Sequence, residues 1–355
     1  MTRPSRYRLA LSSLAASAAL ATVSCGAQPS DLQASVRAAA RQEGDRTAAV
    51  AARPAAREER IDDLLAAVTA GHEGDGLPAR IETQLRRDDD AVRAVLAFIR
   101  GDKATKMIVD ALAASGTPAS QDALCMLARD VHLPAHVRAE AVSSLGLIKR
   151  PTAPTMTAIA ELIHVGDPKR ASAELVAPAM FLAGSVARAG RADHPAQAAA
   201  IEKIVLAETA RAHGTDEVLD ALAALGNLGS TAVLPRLRAA IAAGDARIRA
   251  AAIRALRLVP DAEADQLLAA TLRRDHDATV RAAAIFAAGF RKLDPLVDAL
   301  ADSAQRDPAD YVRAGAVTLL ARNRQLSPRI ERALADVASN DPKPDLRRLA
   351  AGDAR

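Results

Sequence analysis

Few places in this chain hold residue types that could do chemistry, and the spacing of each limits what it could do. His72-Glu73 offers two metal ligands, but it sits in the Gly-rich turn Gly71-His72-Glu73-Gly74-Asp75-Gly76. The other histidines, at 132, 136, 164, 194, 213 and 276, have no repeating carboxylate neighbours that would complete a site. His132 and His136 stand four apart, a spacing that on one helix would present both rings to zinc. Pro134 lies between them and instead places them on either side of a helix start. Asp88-Asp89-Asp90 has the charge to hold a cation but lacks the Gly and terminal Glu of a calcium loop, and three acids before Ala91-Val92-Arg93 serve as helix capping. Gly226-Asn227-Leu228-Gly229 is not a phosphate cradle, because no strand precedes it and no Lys follows. On these grounds no catalytic residue, metal or cofactor is assigned, and the chain reads as a protein that is not an enzyme.

What does recur is a cassette with an acid at a turn, then an aliphatic–Arg pair, then apolar residues four, five and eight places after the aliphatic one. It reads Ile248-Arg249 with Ala252, Ile253 and Leu256; Val280-Arg281 with Ala284, Ile285 and Ala288; and Val312-Arg313 with Ala316, Val317 and Leu320. An earlier copy is Val137-Arg138 with Ala141, Val142 and Leu145. Arg249, Arg281 and Arg313 are 32 residues apart, and Arg347 follows 34 later. In Asp245/Arg249, Asp277/Arg281 and Asp89/Arg93, the acid at the start of a helix can cap its free amides. The Arg four residues on shares that face and can reach the acid or the turn next door. Arg93, Arg138, Arg249, Arg281 and Arg313, with Asp245 and Asp277, are therefore expected to form a structural ladder. A group repeated in register is not a one-off catalytic residue.

A fixed period of this size means a stack of helical hairpins, none of which can bury its apolar stripe alone. Helical spacing begins near Glu58, where Ile61, Leu64, Leu65 and Val68 form one stripe, and no segment alternates with period two. Paired helices are expected over 78–100, 119–149, 152–189, 196–228, 231–258, 262–292, 294–324 and 327–352, with a lone helix at 104–115. Pro178 inside such a helix should kink it or delay its start. The fold class is all-α, a right-handed superhelix of hairpins, monomeric by default.

These residues resemble the HEAT-repeat family in its short bacterial form, strongly from Thr231 to the end and more weakly from Thr152 to Ser230. A fainter likeness, to the helical domain of the large lipid transfer proteins such as vitellogenin and microsomal triglyceride transfer protein, rests on Ala224-Leu225-Gly226-Asn227-Leu228-Gly229, Val233-Leu234-Pro235, Ile241 and Ile248-Arg249-Ala250-Ala251-Ala252-Ile253. In that family the lipid lies in a cavity built largely of β-sheets beyond the helical domain. The resemblance thus implies a helical arch here and a sheet-bearing partner elsewhere. The di-iron deoxyhypusine hydroxylases, built of similar repeats, need several His-Glu pairs inside helices, and this chain has one. Bilin lyases use such repeats too, but nothing in this sequence marks a pigment site.

Residues 1–24 place Arg3, Arg6 and Arg8 before an apolar stretch from Leu9 to Val23, the order of an export signal too short to span a membrane well. Cys25, directly behind it, resembles the lipobox cysteine of bacterial lipoproteins, with Thr22 where that pattern prefers Leu. Two routes fit: acylation of Cys25, which would hold the chain at a membrane surface, or cleavage after Ala19-Leu20-Ala21. Residues 25–57 read as a tether and 58–355 as the solenoid. With Cys25 acylated, Cys125 has no disulfide partner, and it reads as a small buried residue.

The net charge is +4, and removing the three leader arginines leaves 44 basic against 43 acidic residues. With that balance, and with only Phe98, Phe181, Phe286, Phe290 and Tyr311 beyond the leader, nucleic acid is excluded as a partner. The expected role is an exported, membrane-anchored scaffold for a protein partner, with no catalytic activity of its own; the alternative is a lipid- or lipoprotein-handling module. Exposed Leu, Val or Ile on the inner helices would favour lipid, and charged positions such as Arg254 would favour protein.

Overall fold

The computed structural model describes residues 59–71, 76–99, 102–163 and 173–352. The leader, the tether with Cys25, and His72-Glu73 lie outside them. Every regular element among the described residues is helical. The chain divides into two compact units, one ending at Ser115 and the other beginning at Gly116.

The first unit contains α1 (Ile61–Thr69), α2 (Leu77–Arg87), α3 (Asp89–Phe98) and α4 (Asp102–Ser115). The stripe that predicts α1 is the face it buries: Leu64, Leu65 and Val68 pack with Ile81 and Leu85 of α2 and with Val92 and Val95 of α3 in one apolar core. Pro78 in the first turn of α2 costs no hydrogen bond, because that amide has no partner in a helix.

The second unit is a run of hairpins: α5 (Pro118–Arg129) with α6 (Ala135–Leu145), α7 (Ala153–Ile163) with α8 (Ala173–Gly190), and α9 (Pro195–Thr209) with α10 (Thr215–Leu228). It continues with α11 (Leu234–Ile241) and α12 (Ala246–Ala255), α13 (Ala262–Arg274) and α14 (Ala278–Ala288), α15 (Val297–Arg306) and α16 (Asp310–Arg322), and α17 (Pro328–Asn340) and α18 (Pro344–Ala351). Second helices stack in order, α8 on α10, α12, α14, α16 and α18. The cassette explains the seam. Its fourth, fifth and eighth places are buried in all four copies, and each Val, Leu or Ile among them contributes about 1.5–3 kcal/mol on leaving water. Small residues at the fourth place (Ala141, Ala252, Ala284, Ala316) let the helices approach. Pro178 lies in the second turn of α8, which begins at Ala173.

Two positions at the end of α10 require glycine. Gly229 has φ +54°, and a Cβ there would lie 2.9 Å from the Leu258 carbonyl oxygen. A Cβ on Gly226 would lie 2.9 Å from Ala255 Cα of α12. The motif Gly226-Asn227-Leu228-Gly229 is thus a packing corner, closed by Ser230, whose hydroxyl accepts from the Ala232 amide at 3.1 Å.

Candidate functional site

The ladder arginines tie each turn of the second unit to the next. Arg249 donates through Nε and Nη2 to the two carboxylate oxygens of Asp275, at 2.9 and 3.1 Å, while Nη1 reaches back to the Gly244 carbonyl at 2.9 Å. Arg281 grips Asp307 at 2.6 and 2.8 Å and the Asp275 carbonyl at 2.9 Å. Arg313 grips Asp341 at 2.7 and 3.3 Å and the Asp307 carbonyl at 2.9 Å. Arg347 closes the series on the Asp341 carbonyl at 2.7 Å. Arg249, Arg281 and Arg313 therefore each hold the carbonyl of their own turn and the carboxylate of the following one, a fork-to-fork geometry that only Arg provides.

The carboxylates also order their own turns. Asp275, Asp307 and Asp341 accept from the amides of Asp277, Ala309 and Lys343 at 2.9, 2.9 and 2.8 Å. Hydrogen bonding to Asp275 holds Arg249 above its ordinary pKa, and bonding to Asp307 does the same for Arg281. Burial pushes the Asp275 and Asp341 carboxyls up, but the Arg249 and Arg313 guanidiniums and the turn amides outweigh it and hold both below the usual range.

Asp275, Asp307 and Asp341 are the residues that sequence reasoning missed. Their signal was present: each stands six before Arg281, Arg313 or Arg347, at steps of 32 and 34. Asp245 and Asp277, the acids singled out instead, cap locally, accepting from the amides of Arg247 and Thr279 at 2.8 and 2.7 Å. At the earlier copies the pattern changes. The cap of α3 is Asp88, accepting from the Asp90 amide at 2.8 Å, and Arg93 pairs with Asp90 on the exposed surface rather than with Asp89. Arg138 is half-buried on α6, and its turn carries His132 where later turns carry an aspartate.

In the turns between hairpins, at the opposite helix ends from the ladder, the first hairpins of this unit use a neutral knot. Gln121, buried on α5, donates to the carbonyls of Gly116 and Arg150, both at 3.0 Å. Its oxygen accepts from the Thr152 amide at 2.8 Å and the Thr155 hydroxyl at 3.0 Å. Cys125, beside Thr155, is buried, and desolvation raises its thiol above the ordinary pKa.

A third cluster surrounds the Asn227–Gly229 corner. Asn227 donates to the Phe181 carbonyl at 2.8 Å and accepts from Arg257 at 2.5 Å. Arg191 takes the carbonyls of Leu228 and Gly229 at 3.0 and 3.2 Å and pairs with Glu202 at 3.3 Å. Among the described residues no group of three or more His, Cys, Asp and Glu gathers as metal ligands would, and Pro134, at the N-cap of α6, separates His132 from His136. No described helix is long and apolar enough to cross a membrane. What this chemistry does is join helices.

A family model of the vitellogenin TPR domain matches residues 80–321. No curated protein sequence matches the chain. Among solved structures, one concerned with lipid–protein interactions in lipovitellin is 17% identical with a TM-score of 0.53, over 82% of this chain and 34% of that one. The chain thus spans about a third of the lipovitellin chain, and the likeness is one of fold. Human deoxyhypusine hydroxylase in complex with glycerol is 18% identical, with a TM-score of 0.30, over 75% of this chain and 96% of that one. The complex of CpcE and CpcF of phycocyanin lyase from Nostoc sp. PCC7120 is 19% identical, with a TM-score of 0.31, over 81% and 98%.

Proposed function

Because this chain belongs to the vitellogenin TPR domain family, we propose that it is a non-catalytic helical module of lipoprotein handling, one that meets a protein partner through its helical surface and leaves lipid to that partner. The family match over residues 80–321 is the observation that carries this reading. The surface supports the division of labour. Among the described residues, the large apolar side chains exposed on the second helices and at their ends are Phe286, Phe290 and Tyr311, with Leu147 just past α6 and Leu326 past α16, scattered along the stack and not gathered into one lining. Arg247, Arg254 and Arg322 are exposed on the same helices. An acyl chain needs a continuous apolar lining, whereas a mixed surface with a few aromatic anchors, here the paired Phe286 and Phe290 rings and Tyr311, suits a protein contact.

The hairpins are of HEAT type in this reading, and the exported chain is held at a bacterial membrane surface, on the periplasmic side where there are two membranes, through acylated Cys25. Crosslinking and pull-down from intact cells, with lipid analysis of the product, tests the function. A protein partner should be captured, with lipid present in proportion to it. Stoichiometric lipid on the purified chain alone would overturn the division proposed here. Replacement of Cys25 by Ser should abolish acyl labelling and release the chain from the membrane fraction; a labelled, membrane-bound Cys25→Ser protein would remove the anchor.

A further inference from the structure

The end of α10 holds more positive charge than its own carbonyls need. A helix C-terminus attracts cations, and here Arg191 takes up the Leu228 and Gly229 carbonyls while Arg257 takes up the Asn227 side-chain oxygen and the Arg254 carbonyl. Arg188, from the last turns of α8, finds no acceptor among the described residues, yet its Cδ lies where a Cβ on Gly229 would come within 3.1 Å. Arg257 lies against the same corner, its Nη1 where a Cβ on Gly226 would come within 2.7 Å. Only Arg191 has a carboxylate, Glu202; no carboxylate among the described residues pairs with Arg188 or Arg257.

We infer that Arg188 and Arg257, set against the Gly226–Gly229 corner from α8 and from the turn after α12, form a binding site for a phosphate group. The Arg188 guanidinium, which makes no hydrogen bond to a described residue, can take the oxygens of a tetrahedral anion, while Arg257, held on Asn227 and the Arg254 carbonyl, adds its charge beside the rigid glycine corner. Desolvation, and then repulsion from Arg191, lowers the pKa of Arg188; desolvation, and then repulsion from Arg188, lowers that of Arg257. An anion between them relieves that repulsion. An open cleft of about 440 Å³ continues from Arg257 past Leu258 and Phe290 to Lys292, and is lined also by Asp261 and by Arg291 in its pair with Asp265. The phosphate can therefore belong to a small soluble molecule or to the headgroup of an amphiphile whose apolar part lies toward Phe290.

Calorimetric titration of the purified chain with inorganic phosphate, in parallel with flotation on phosphatidylcholine vesicles with and without phosphatidic acid, tests the site. Phosphate should bind with a stoichiometry of one. Arg188→Gln, which removes no hydrogen bond within the protein, should weaken binding about tenfold or more, the loss expected for one charge-assisted contact. Arg322→Gln, an exposed arginine on α16, should leave binding unchanged. Capture by the phosphatidic acid vesicles, lost in Arg188→Gln, assigns the site to a lipid headgroup; phosphate binding without capture assigns it to a soluble phosphate. Absence of both, or equal weakening by Arg322→Gln, overturns the site.

Discussion

The turns inside the hairpins from Thr231 onward and the turns between the hairpins from Gly116 to Ile163 are tied to their neighbours with opposite chemistry. Both must tie the turn of one repeat to the next where helix ends leave carbonyls unpaired. The later hairpins use buried Arg–Asp pairs, Arg249–Asp275, Arg281–Asp307 and Arg313–Asp341, and the earlier ones use the neutral Gln121–Thr152–Thr155 knot. The difference teaches that a stack of hairpins can be tied at either end of its repeats, by charged or by neutral groups. A charged seam is directional and repeats easily, since each Arg needs only an aspartate in the next turn, but it ties stability to protonation. A neutral seam does not.

Breaking one rung should have the largest effect. Arg281→Ala leaves Asp307, 7% exposed, buried without its counter-charge, which costs about 3–5 kcal/mol. Hydrogen exchange should accelerate over residues near 262–324 and stay near native over 118–163, since repeats touch only their neighbours. Acid should come next and sharpen the contrast. Asp275 and Asp341 titrate below their ordinary value when folded, so their stabilisation is complete above the unfolded pKa of about 4 and is lost as pH falls through the folded values. Exchange measured down a pH series should open the later hairpins first, with the Gln121 region following only at stronger acid.

Gln121→Ala should cost about 1–3 kcal/mol, because it strands the Gly116 and Arg150 carbonyls, and its effect should be independent of pH between 4 and 7, as no group in the knot titrates there. Arg93→Ala should change stability by no more than about 1 kcal/mol in thermal unfolding, because its pair with Asp90 is solvent-exposed on both sides. A large loss there would extend the ladder into the first unit.

Much of this architecture is legible in the sequence because burial leaves a period. The apolar places of the cassette, the capping acids Asp245 and Asp277, and the Gly229–Ser230 punctuation all follow from local rules that act within one or two turns of helix. The partners Asp275, Asp307 and Asp341 were harder to see because they lie 26 to 28 residues from the arginines they bind. Their local spacing, six before the next arginine, reflects a different bond, from that arginine to the aspartate's own carbonyl. The Gln121 knot and the Arg188–Arg257 corner leave no periodic trace, since each occurs once and is assembled by helices brought together through packing.

The ladder is tested most directly by a double-mutant cycle on Arg281 and Asp307, with Arg281→Met, Asp307→Leu and the pair compared by local exchange free energies in α14 and α15. If the two side chains form one buried unit, the double variant should cost less than the sum of the singles by about 2–3 kcal/mol, since neither charge is left stranded. Additive losses would contradict the account, for they would mean that Arg281 and Asp307 stabilise their own turns separately and that no bond between repeats holds the stack together.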